Sequence, residues 1–472
     1  MNWNMKSCRF FIALGLAAMM CIPSYAQTNN QDWAGTGRFA DATQVLKNRN
    51  FPKIVLIGDS ISDFWIRKSS GFFYDNGIIC RGISGQTTSQ MLLRFRREVI
   101  ESEASTVVIL AGTNDIAGNT GPMSLEDIAG NIKSMCELAL QAGIRPVICS
   151  VLPVHQYYWS KDKHPDTDIP KLNRMLKEYV AKTGISYVDF YSAMVDNDKA
   201  NENGLPEKYS ADGVHPKIQG YAVMENMLLK ELKEETKIYR SGKSGLKLMS
   251  FNVRNGKGMD LVTDMKRPAA IISDLAPDVV AIQEVDSVTN RASGKYMLGE
   301  LASITGMIPL FSAAIEYDGG KYGIGMLCRQ KPMSIQRIAL PGREEQRTLL
   351  IAEFKDYFFC STHLSLTEED RLASVDIINS AFHKLEKKGK PIFIAGDWND
   401  EPDSKFISMM RKHFTFISDI AKYTFPSDKP DRTIDYIAFW KRNGTGELRP
   451  AANGVLNSTL SSDHRPIYCE LK

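Results

Sequence analysis

The stretch IVLIGDSISDFW, residues 54–65, joins a run of apolar residues to a Gly-Asp-Ser turn and then to a segment with helical periodicity. A short, continuous apolar run of this kind predicts a strand that is buried on both faces. A serine at the end of such a strand lies at the carboxyl edge of the sheet, where open α/β folds bind ligands. Gly-Asp-Ser is also ordinary helix-capping chemistry, so the tripeptide alone does not establish a function.

Similar strand-like runs recur through the first half of the chain. They lie at residues 53–58, 106–112, 145–153 and 185–190, and amphipathic segments such as residues 124–143 separate them. Strands that alternate with helices in this rhythm predict a parallel sheet covered by helices on both faces.

The pattern of strand-like and helical segments changes in the second half of the sequence. A polar segment with glycine and serine, EETKIYRSGKSG, is predicted to be a linker over residues 234–245, between domains at 27–233 and 246–472. Beyond it the strand-like runs are more numerous and often consecutive, with two helical segments near residues 265–276 and 368–389. This pattern predicts a mixed α/β sandwich of two sheets.

The first 26 residues have the features of a secretory signal peptide. Lys6 and Arg9 precede an apolar segment, Pro23 follows it, and small residues lead to a cleavage site after Ala26. The apolar segment is shorter than the roughly 20 residues that a spanning helix needs. We therefore expect a periplasmic or secreted protein with no transmembrane segment after cleavage.

Charge and cysteine content exclude several classes of protein. The formal net charge is only +3 for 472 residues, and no long run of like charges suggests a nucleic-acid tail or a membrane tether. The cysteines beyond the signal lack the paired spacing of a zinc site or a disulfide scaffold, so we expect buried packing residues. They are Cys80, Cys136, Cys149, Cys328, Cys360 and Cys469.

Three further segments give the Gly-Asp-Ser turn a chemical context. GISGQTT places Gly85 in a loop where a backbone N–H can face a ligand, and LAGTNDIAG ends a strand with the side-chain amide of Asn114. Amide donors of this kind stabilise developing oxyanions. ADGVHP supplies His215 as a base for Ser60, with Asp212 to orient its ring.

Together and in this order, these motifs resemble the SGNH (GDSL-type) hydrolase family over residues 50–232. The resemblance implies a flavodoxin-like three-layer α/β/α domain that hydrolyses short acyl esters of a glycan or a lipid. It also implies that Ser60 is the nucleophile and that Asp212 and His215 complete the triad. The Ser60 backbone N–H, Gly85 and Asn114 would then form the oxyanion hole.

Two other histidines, His155 and His164, flank the aromatic segment QYYWS. A loop of this composition can line a sugar or acyl pocket, and packing at the protein surface explains it equally well. Both interpretations stay open at the level of the sequence.

In the second half, polar residues again follow strand-like runs, but their types differ. Any single Asp after a strand is usually a turn or cap residue, whereas so many in order favour a site. Carboxylate and amide oxygens suit Mg²⁺ or Mn²⁺ better than zinc. The residues are Asn252, Glu284, His363, Asp397, Asn399, Asp435, Asp463 and His464.

This set resembles the endonuclease/exonuclease/phosphatase superfamily over residues 246–472, and SDHRP and GDWND are its most specific pieces. The resemblance implies a four-layer α/β sandwich of DNase-I-like fold. By position, it implies that Asn252, Glu284 and Asp463 hold Mg²⁺ or Mn²⁺.

The same resemblance implies roles for the remaining residues of the set. Asp397 would position or activate the attacking water, while Asn399 and His363 would contact the phosphoryl oxygens. His464, steadied by Asp435, would stabilise or protonate the departing group. A cation and an imidazolium can together offset the charge that builds up during attack on a phosphodiester.

Some residues and functions stay open. Arg347 could contact phosphate or form a surface ion pair, and His383 and His413 receive no role. Acids and bases are roughly balanced in the second half, which does not favour the basic groove of a nuclease. The sequence thus predicts a secreted esterase joined to a phosphodiesterase of lipid or small substrates. The alternatives are a secreted nuclease with an accessory esterase, and a chain in which one half only binds.

Overall fold

The computed structural model describes residues 32–46, 53–196, 198–242, 245–441 and 448–472. The predicted signal peptide lies outside these ranges and remains a prediction. Within them, no helix combines the length and the apolar character needed to cross a membrane. The six cysteines of these ranges carry free thiols, and five of them are buried.

Five parallel strands of the first half form one sheet in the order β2-β1-β3-β4-β5. This is the flavodoxin-like strand order, and it confirms the predicted parallel sheet. The strands are β1 (Ile54–Gly58), β2 (Ile78–Gly82), β3 (Thr106–Leu110), β4 (Arg145–Cys149) and β5 (Ser186–Val188).

Helices cover both faces of this sheet, because its strands are apolar on both sides. They are α1 (Ala40–Leu46), α2 (Ser60–Lys68), α3 (Ser70–Asn76), α4 (Thr88–Phe95), α5 (Thr113–Ile116), α6 (Leu125–Gln141), α7 (Pro165–Thr183), α8 (Phe190–Met194), α9 (Ile218–Glu231) and α10 (Lys233–Gly242).

The second half contains two six-stranded sheets, in the orders β16-β17-β6-β7-β9-β8 and β10-β11-β12-β13-β15-β14. The strands of the first are β6 (Lys247–Asn252), β7 (Val279–Ser287), β8 (Ile308–Tyr317), β9 (Gly320–Cys328), β16 (Ala452–Val455) and β17 (Ile467–Glu470). Those of the second are β10 (Ser334–Leu340), β11 (Arg347–Glu353), β12 (Phe358–His363), β13 (Ile392–Asp397), β14 (Phe414–Phe416) and β15 (Asp435–Trp440).

The two sheets face each other across an apolar core that includes Leu248, Val279, Leu350 and Phe359. Helices α11 (Lys266–Leu275) and α12 (Met297–Thr305) cover the outer face of the first sheet, and α13 (Glu368–Leu385) and α14 (Lys405–His413) cover the second. Helix, sheet, sheet and helix make the four-layer sandwich that the sequence predicts.

One helical layer is common to both halves. Helix α2 packs against α12, and α1 packs against α11. As a result Trp65 and Tyr221 of the first half share a continuous buried core with Ile271 and Leu301 of the second.

The structure differs from the sequence prediction at the segment expected to be a linker, residues 234–245. Its described part is helical up to Gly242, as α10. Glu235 lies in the first turn, where a carboxylate complements the helix dipole, and it accepts a hydrogen bond from Arg145 at 2.8 Å. A partner on β4, Arg145, thus stabilises this helix, which the polar composition of the segment does not predict. The division of the chain into two separately folding domains remains a prediction.

A buried ion pair crosses the shared layer. Arg81 of β2 and Asp274 of α11 form two parallel hydrogen bonds of 2.8 and 2.7 Å. Their side chains are 0% and 2% exposed, so neither charge is solvated if the other is removed.

We expect Arg81→Met to lower the free energy of unfolding by about 3–5 kcal/mol, because it leaves the Asp274 carboxylate buried without its partner. Denaturant unfolding monitored by fluorescence and by circular dichroism measures the change. The double variant Arg81→Met/Asp274→Leu, which buries no lone charge, should recover most of the loss. An unchanged stability in the single variant would contradict a buried ion pair at this interface.

Two candidate active sites

The first site begins where β1 meets α2. Asp59 caps the helix, since its Oδ1 accepts a hydrogen bond from the backbone N–H of Ile61 at 2.9 Å. Ser60 is the first helical residue, and its hydroxyl is free to point away from the helix. The turn therefore serves both as a helix cap and as a site, because Asp59 caps the helix and the Ser60 hydroxyl remains available to a ligand.

Ser60, His215 and Asp212 form one hydrogen-bonded chain. The Ser60 Oγ lies 2.9 Å from His215 Nε2, and His215 Nδ1 lies 2.7 Å from Asp212 Oδ2. Asp212 Oδ1 also accepts hydrogen bonds from the backbone N–H groups of Val214 and His215, at 2.9 and 2.8 Å. This is the geometry in which a carboxylate orients an imidazole that can take a proton from a hydroxyl.

The Asp212 carboxylate is held in its ionised form. Partial burial works to raise the pKa of Asp212, but hydrogen bonds from the backbone and ring of His215 outweigh it and lower the pKa from 3.8 to about 2. A folded pKa below the unfolded one means that these hydrogen bonds stabilise the fold above pH 3.8 and are lost as the pH falls toward 2.

Gly85 and Asn114 follow β2 and β3, the two strands that flank β1 in the sheet. Gly85 has a φ of +81°, which favours glycine, and a Cβ at this position would meet no atom within 4 Å. The Asn114 Nδ2, in α5, donates to the backbone O of Gln86 at 3.0 Å, and its Oδ1 accepts from Asn119 Nδ2 at 2.9 Å. Asn119 also donates to Gly85 O at 3.2 Å, so it connects the loop of Gly85 to α5.

The aromatic segment that the sequence singled out reaches this site through Asn119. The Trp159 Nε1 donates to Asn119 Oδ1 at 3.1 Å. Trp159 is 39% exposed and lies edge-on to Tyr158, which is 59% exposed. His155 lies apart from this arrangement, with its Nδ1 2.8 Å from Glu202 O, and His164 stands at the start of α7.

The second site is built on three adjacent strands. In the register of the sheet, His363 at the end of β12 pairs with Asp397 at the end of β13, and Asp397 pairs with Asp435 at the start of β15. The pairing is a consequence of strand ends meeting at one edge. It brings three polar side chains of distant sequence segments side by side.

Glu284 reaches the same place from the facing sheet through a distortion of its strand. The pairing of β7 with β9 is irregular between Ile282 and Val285, and Glu284 has a φ of +57°. Bulges of this kind re-aim a side chain and are common next to active sites. The irregularity directs Glu284 toward the ends of β12 and β13.

His464 completes the cluster from the C-terminal loop. Its Nδ1 lies 3.0 Å from Asp435 Oδ2, and its Nε2 lies 3.5 Å from Asp397 Oδ2. Burial alone would lower the pKa of His464, but the carboxylates of Asp435 and Asp397 raise it from 6.5 to about 10. The ring therefore carries a positive charge at neutral pH.

The cluster has the donor atoms for a divalent cation. The ligand atoms of Glu284, His363 and Asp397 all lie within 4.8 Å of one another. Burial, with the positive charges of Arg347 and His464, holds the pKa of His363 well below its usual range, so its ring is neutral and can act as a ligand. Burial also raises the pKa of Asp397, so its ionised form needs positive charge nearby.

The other residues predicted to bind metal are oriented differently. Asn252 donates through Nδ2 to Glu284 at 2.9 Å and to Asp397 at 3.1 Å, so it contacts the cluster by its amide nitrogen. Asp463 instead forms an ion pair with Arg254, with 3.1 Å between its Oδ2 and Nε. Among the described residues, His363 and Asp397 thus join Glu284 as candidate ligands, and the metal-binding role of Asn252 and Asp463 stays a prediction.

Asn399 and Arg347 border the second site. The Asn399 backbone N–H donates to Asp397 Oδ1 at 3.0 Å, and its Nδ2 donates to Leu364 O at 2.9 Å. Arg347 is 4% exposed and pairs with Glu344 and Glu345. Arg347 thus forms the ion pair considered from the sequence, but its side chain is buried and not at the surface. Its positive charge is close enough to lower the pKa of His363.

Sequence reasoning missed Asn119, which lies five positions after the motif residue Asn114. It stands in Gly-Asn-Thr-Gly at residues 118–121, a composition typical of a turn, and this local signal could have singled it out. The contact of its amide with Gly85 could not be predicted, because Gly85 is distant in the sequence.

The fold and the two clusters define two domains of α/β architecture, one after the other, each with the residues of a hydrolase. Residues 56–223 match the GDSL-like lipase/acylhydrolase family and residues 249–464 match the endonuclease/exonuclease/phosphatase family. The chain therefore belongs to both families, with one domain following the other. Both are families of hydrolases.

Known proteins resemble one half or the other. A GDSL-like lipase of Bacteroides thetaiotaomicron is 37% identical, and the match covers 43% of this chain and 98% of that one, with a TM-score of 0.41. An endonuclease/exonuclease/phosphatase of Bacteroides vulgatus is 18% identical, with 49% and 99% covered and a TM-score of 0.39. An N-acylneuraminate cytidylyltransferase of Escherichia coli is 27% identical over 183 residues. The match covers 38% of this chain and only 40% of that protein's length.

We expect Ser60→Ala to reduce ester hydrolysis by at least ~10³-fold, because only the oxyanion donors would remain to act on the carbonyl. Release of p-nitrophenol from p-nitrophenyl acetate gives the rate. Ser62→Ala is the matched control, since Ser62 lies in the same helical turn and its buried hydroxyl has no hydrogen-bond partner among the described residues. Equal loss in both variants would mean that the turn, and not the Ser60 hydroxyl, is required.

We expect His464→Ala to abolish metal-dependent phosphodiester hydrolysis while ester hydrolysis stays intact, because the imidazolium lies only in the second cluster. Asp397→Ala should behave in the same way, and His215→Ala should show the reverse pattern. Parallel assays with bis-p-nitrophenyl phosphate and p-nitrophenyl acetate test this. His383→Ala, at a histidine with a 58% exposed side chain on α13, serves as the control. A substitution that silences both reactions would indicate a single shared site.

Proposed function

We propose that the protein is a secreted bifunctional hydrolase, an esterase of short acyl groups joined to a phosphodiesterase that uses Mg²⁺ or Mn²⁺. The observation that carries the proposal is the unbroken chain from Ser60 through His215 to Asp212, beside a separate cluster of carboxylates and histidines. Secretion rests on the predicted signal peptide over residues 1–26.

In the ester reaction, the Ser60 Oγ attacks the carbonyl carbon and His215 Nε2 takes the hydroxyl proton. Negative charge then develops on the carbonyl oxygen, next to the Ser60 and Gly85 backbone N–H groups and the Asn114 amide. His215 returns the proton to the departing alcohol, and water releases the acyl group by the same steps. The lowered pKa of Asp212 keeps its carboxylate ionised, so it stabilises the imidazolium of His215 that forms in the reaction.

An acyl ester on a carbohydrate suits this site better than one on a lipid. Trp159 and Tyr158 present exposed aromatic faces next to Asn119, and aromatic faces with a polar tip suit sugar rings. The Trp159 indole is one hydrogen-bonded residue away from Asn114. A sugar stacked there would carry its acyl group toward Ser60.

In the phosphodiester reaction, Asp397 positions the attacking water and takes a proton from it as the water oxygen bonds to phosphorus and the bond to the departing oxygen breaks. His363 and Asn399 contact the phosphoryl oxygens. The imidazolium of His464, held by Asp435 at 3.0 Å, donates its Nε2 proton toward the departing oxygen. Asp435 keeps the ring oriented and charged.

A divalent cation bound by Glu284 and its neighbours would add positive charge against the phosphoryl oxygens. Of the residues predicted from the sequence to bind the metal, Glu284 has the best placement, because the side chains assigned to the attacking water and the phosphoryl oxygens, Asp397 and His363, converge on it. Small or lipid phosphodiesters remain the favoured substrates, and degradation of plasmid DNA would instead support the nuclease alternative.

The glycan proposal predicts a selective effect of Trp159→Ala. The value of kcat/KM on an acetylated oligosaccharide should fall about 10-fold or more, because loss of an aromatic sugar contact removes roughly 1–2 kcal/mol of binding. On p-nitrophenyl acetate, which has no sugar, the value should change little. Trp159→Phe should keep part of the activity on the oligosaccharide.

Tyr423→Ala removes an aromatic side chain of similar exposure, 53%, from the second domain and provides the control. Equal losses on both substrates for Trp159→Ala would indicate a general effect on the oxyanion donors through Asn119. In that case the aromatic segment would not determine the substrate.

A further inference from the structure

A short segment that precedes the first family match, residues 34–46, contacts both halves of the molecule. We refer to it as the bridging segment. Its helix α1 packs against α11 of the second half and against the helical turn Arg96–Ile100 of the first. Phe39, Ala42 and Val45 are buried in the core that the two halves share.

In the first turn of α1, the bridging segment holds a loop of the second domain through Asp41. This side chain accepts hydrogen bonds from Ser458 Oγ at 2.6 Å and from the backbone N–H groups of Thr459 and Ser461, both at 3.1 Å. The Ser461 hydroxyl donates to it as well. Asp41 is 7% exposed, and Ser458 and Ser461 are fully buried. Hydrogen bonds to a buried carboxylate are among the strong ones in proteins.

The loop that Asp41 holds leads directly into the second active site. Ser462 follows Ser461, and its hydroxyl donates to Asn252 O at 2.7 Å and accepts from the His464 backbone N–H at 3.3 Å. The path from the Asp41 carboxylate to the His464 ring is therefore a few buried, hydrogen-bonded residues long. Within the described residues 246–441 and 448–472, no other acceptor replaces the one that Asp41 supplies to the N–H groups of Thr459 and Ser461.

At its N-terminal end, the same segment meets the first active site. The Ala34 backbone O accepts a hydrogen bond from Gln86 Nε2 at 2.6 Å. Gln86 follows Gly85, and its own backbone O accepts from Asn114 Nδ2. The bridging segment thus touches a loop next to each site.

We propose that Asp41 is a positioning residue for the phosphodiesterase site, supplied by a segment that lies outside that domain. It holds residues 458–461 so that His464 stays between Asp397 and Asp435. Asp41 itself touches no reacting atom. This inference rests on the proposed phosphodiesterase function of the second domain.

The test uses the full chain with Asp41→Asn and Asp41→Ala. In either variant one or more of the N–H and O–H donors of residues 458–461 loses its acceptor, so the loop should shift. Displacements of about 1 Å cost roughly 10²-fold in rate, and we expect kcat on bis-p-nitrophenyl phosphate to fall about 10- to 100-fold with little change in KM. Hydrolysis of p-nitrophenyl acetate by the same samples should be unchanged, which shows that the chain remains folded.

Asp274→Asn provides the matched control, because it alters another buried carboxylate of the shared layer that faces Arg81 and not the loop. Assayed well below its melting temperature, it should retain the phosphodiesterase kcat. The pair Asp41→Asn and Ser461→Ala, combined in a double-mutant cycle, should show effects on kcat that are not additive. Full kcat in the Asp41 variants, or equal loss in Asp274→Asn, would overturn the proposal.

Hydrogen exchange separates failure of this inference from failure of the proposed function. If the wild-type chain hydrolyses no phosphodiester, the proposed function fails, but the backbone amides of residues 459 and 461 can still be compared. Their exchange should be faster in Asp41→Asn than in the wild type and unchanged in Asp274→Asn. Equal protection of these amides in Asp41→Asn and the wild type would overturn the positioning role whatever the activity.

Discussion

The buried ion pair between Arg81 of β2 and Asp274 of α11 joins the first half of the chain to the second. With side-chain exposures of 0% and 2%, neither charge could be solvated by water if its partner were lost, so separating the pair would destabilise the fold. Around it, Trp65 from the first half and Leu301 from the second pack in one core. The two halves of the chain are therefore joined by a shared interior as well as by the connecting chain.

The two sites differ in which side chain has its pKa shifted by an Asp–His contact. In the first, hydrogen bonds keep Asp212 ionised, and its carboxylate orients the His215 ring. In the second, the carboxylates of Asp435 and Asp397 keep His464 protonated, and burial raises the pKa of Asp397. An Asp beside a His thus goes with a lowered pKa of the Asp in one site and a raised pKa of the His in the other.

Much of this could be predicted from the sequence, because strand periodicity and strand-end polar residues are local signals. The strand β1, the turn at Ser60 and the order of the two folds all follow from such patterns. Side-chain direction does not, which is why Asp463 faces Arg254 and His363 joins Glu284. The helix over Lys233–Gly242 and the contact of Asp41 with Ser461 depend on residues far away in the chain, so no window of sequence could reveal them.

We propose that one chain carries two independent chemistries, of which only the phosphodiester reaction needs a metal. The most direct test is to assay the purified full chain on p-nitrophenyl acetate and bis-p-nitrophenyl phosphate, before and after treatment with EDTA. We predict that ester hydrolysis persists, whereas phosphodiester hydrolysis disappears and returns with Mg²⁺ or Mn²⁺. Loss of ester hydrolysis in EDTA, or phosphodiester hydrolysis that survives it, would contradict the account.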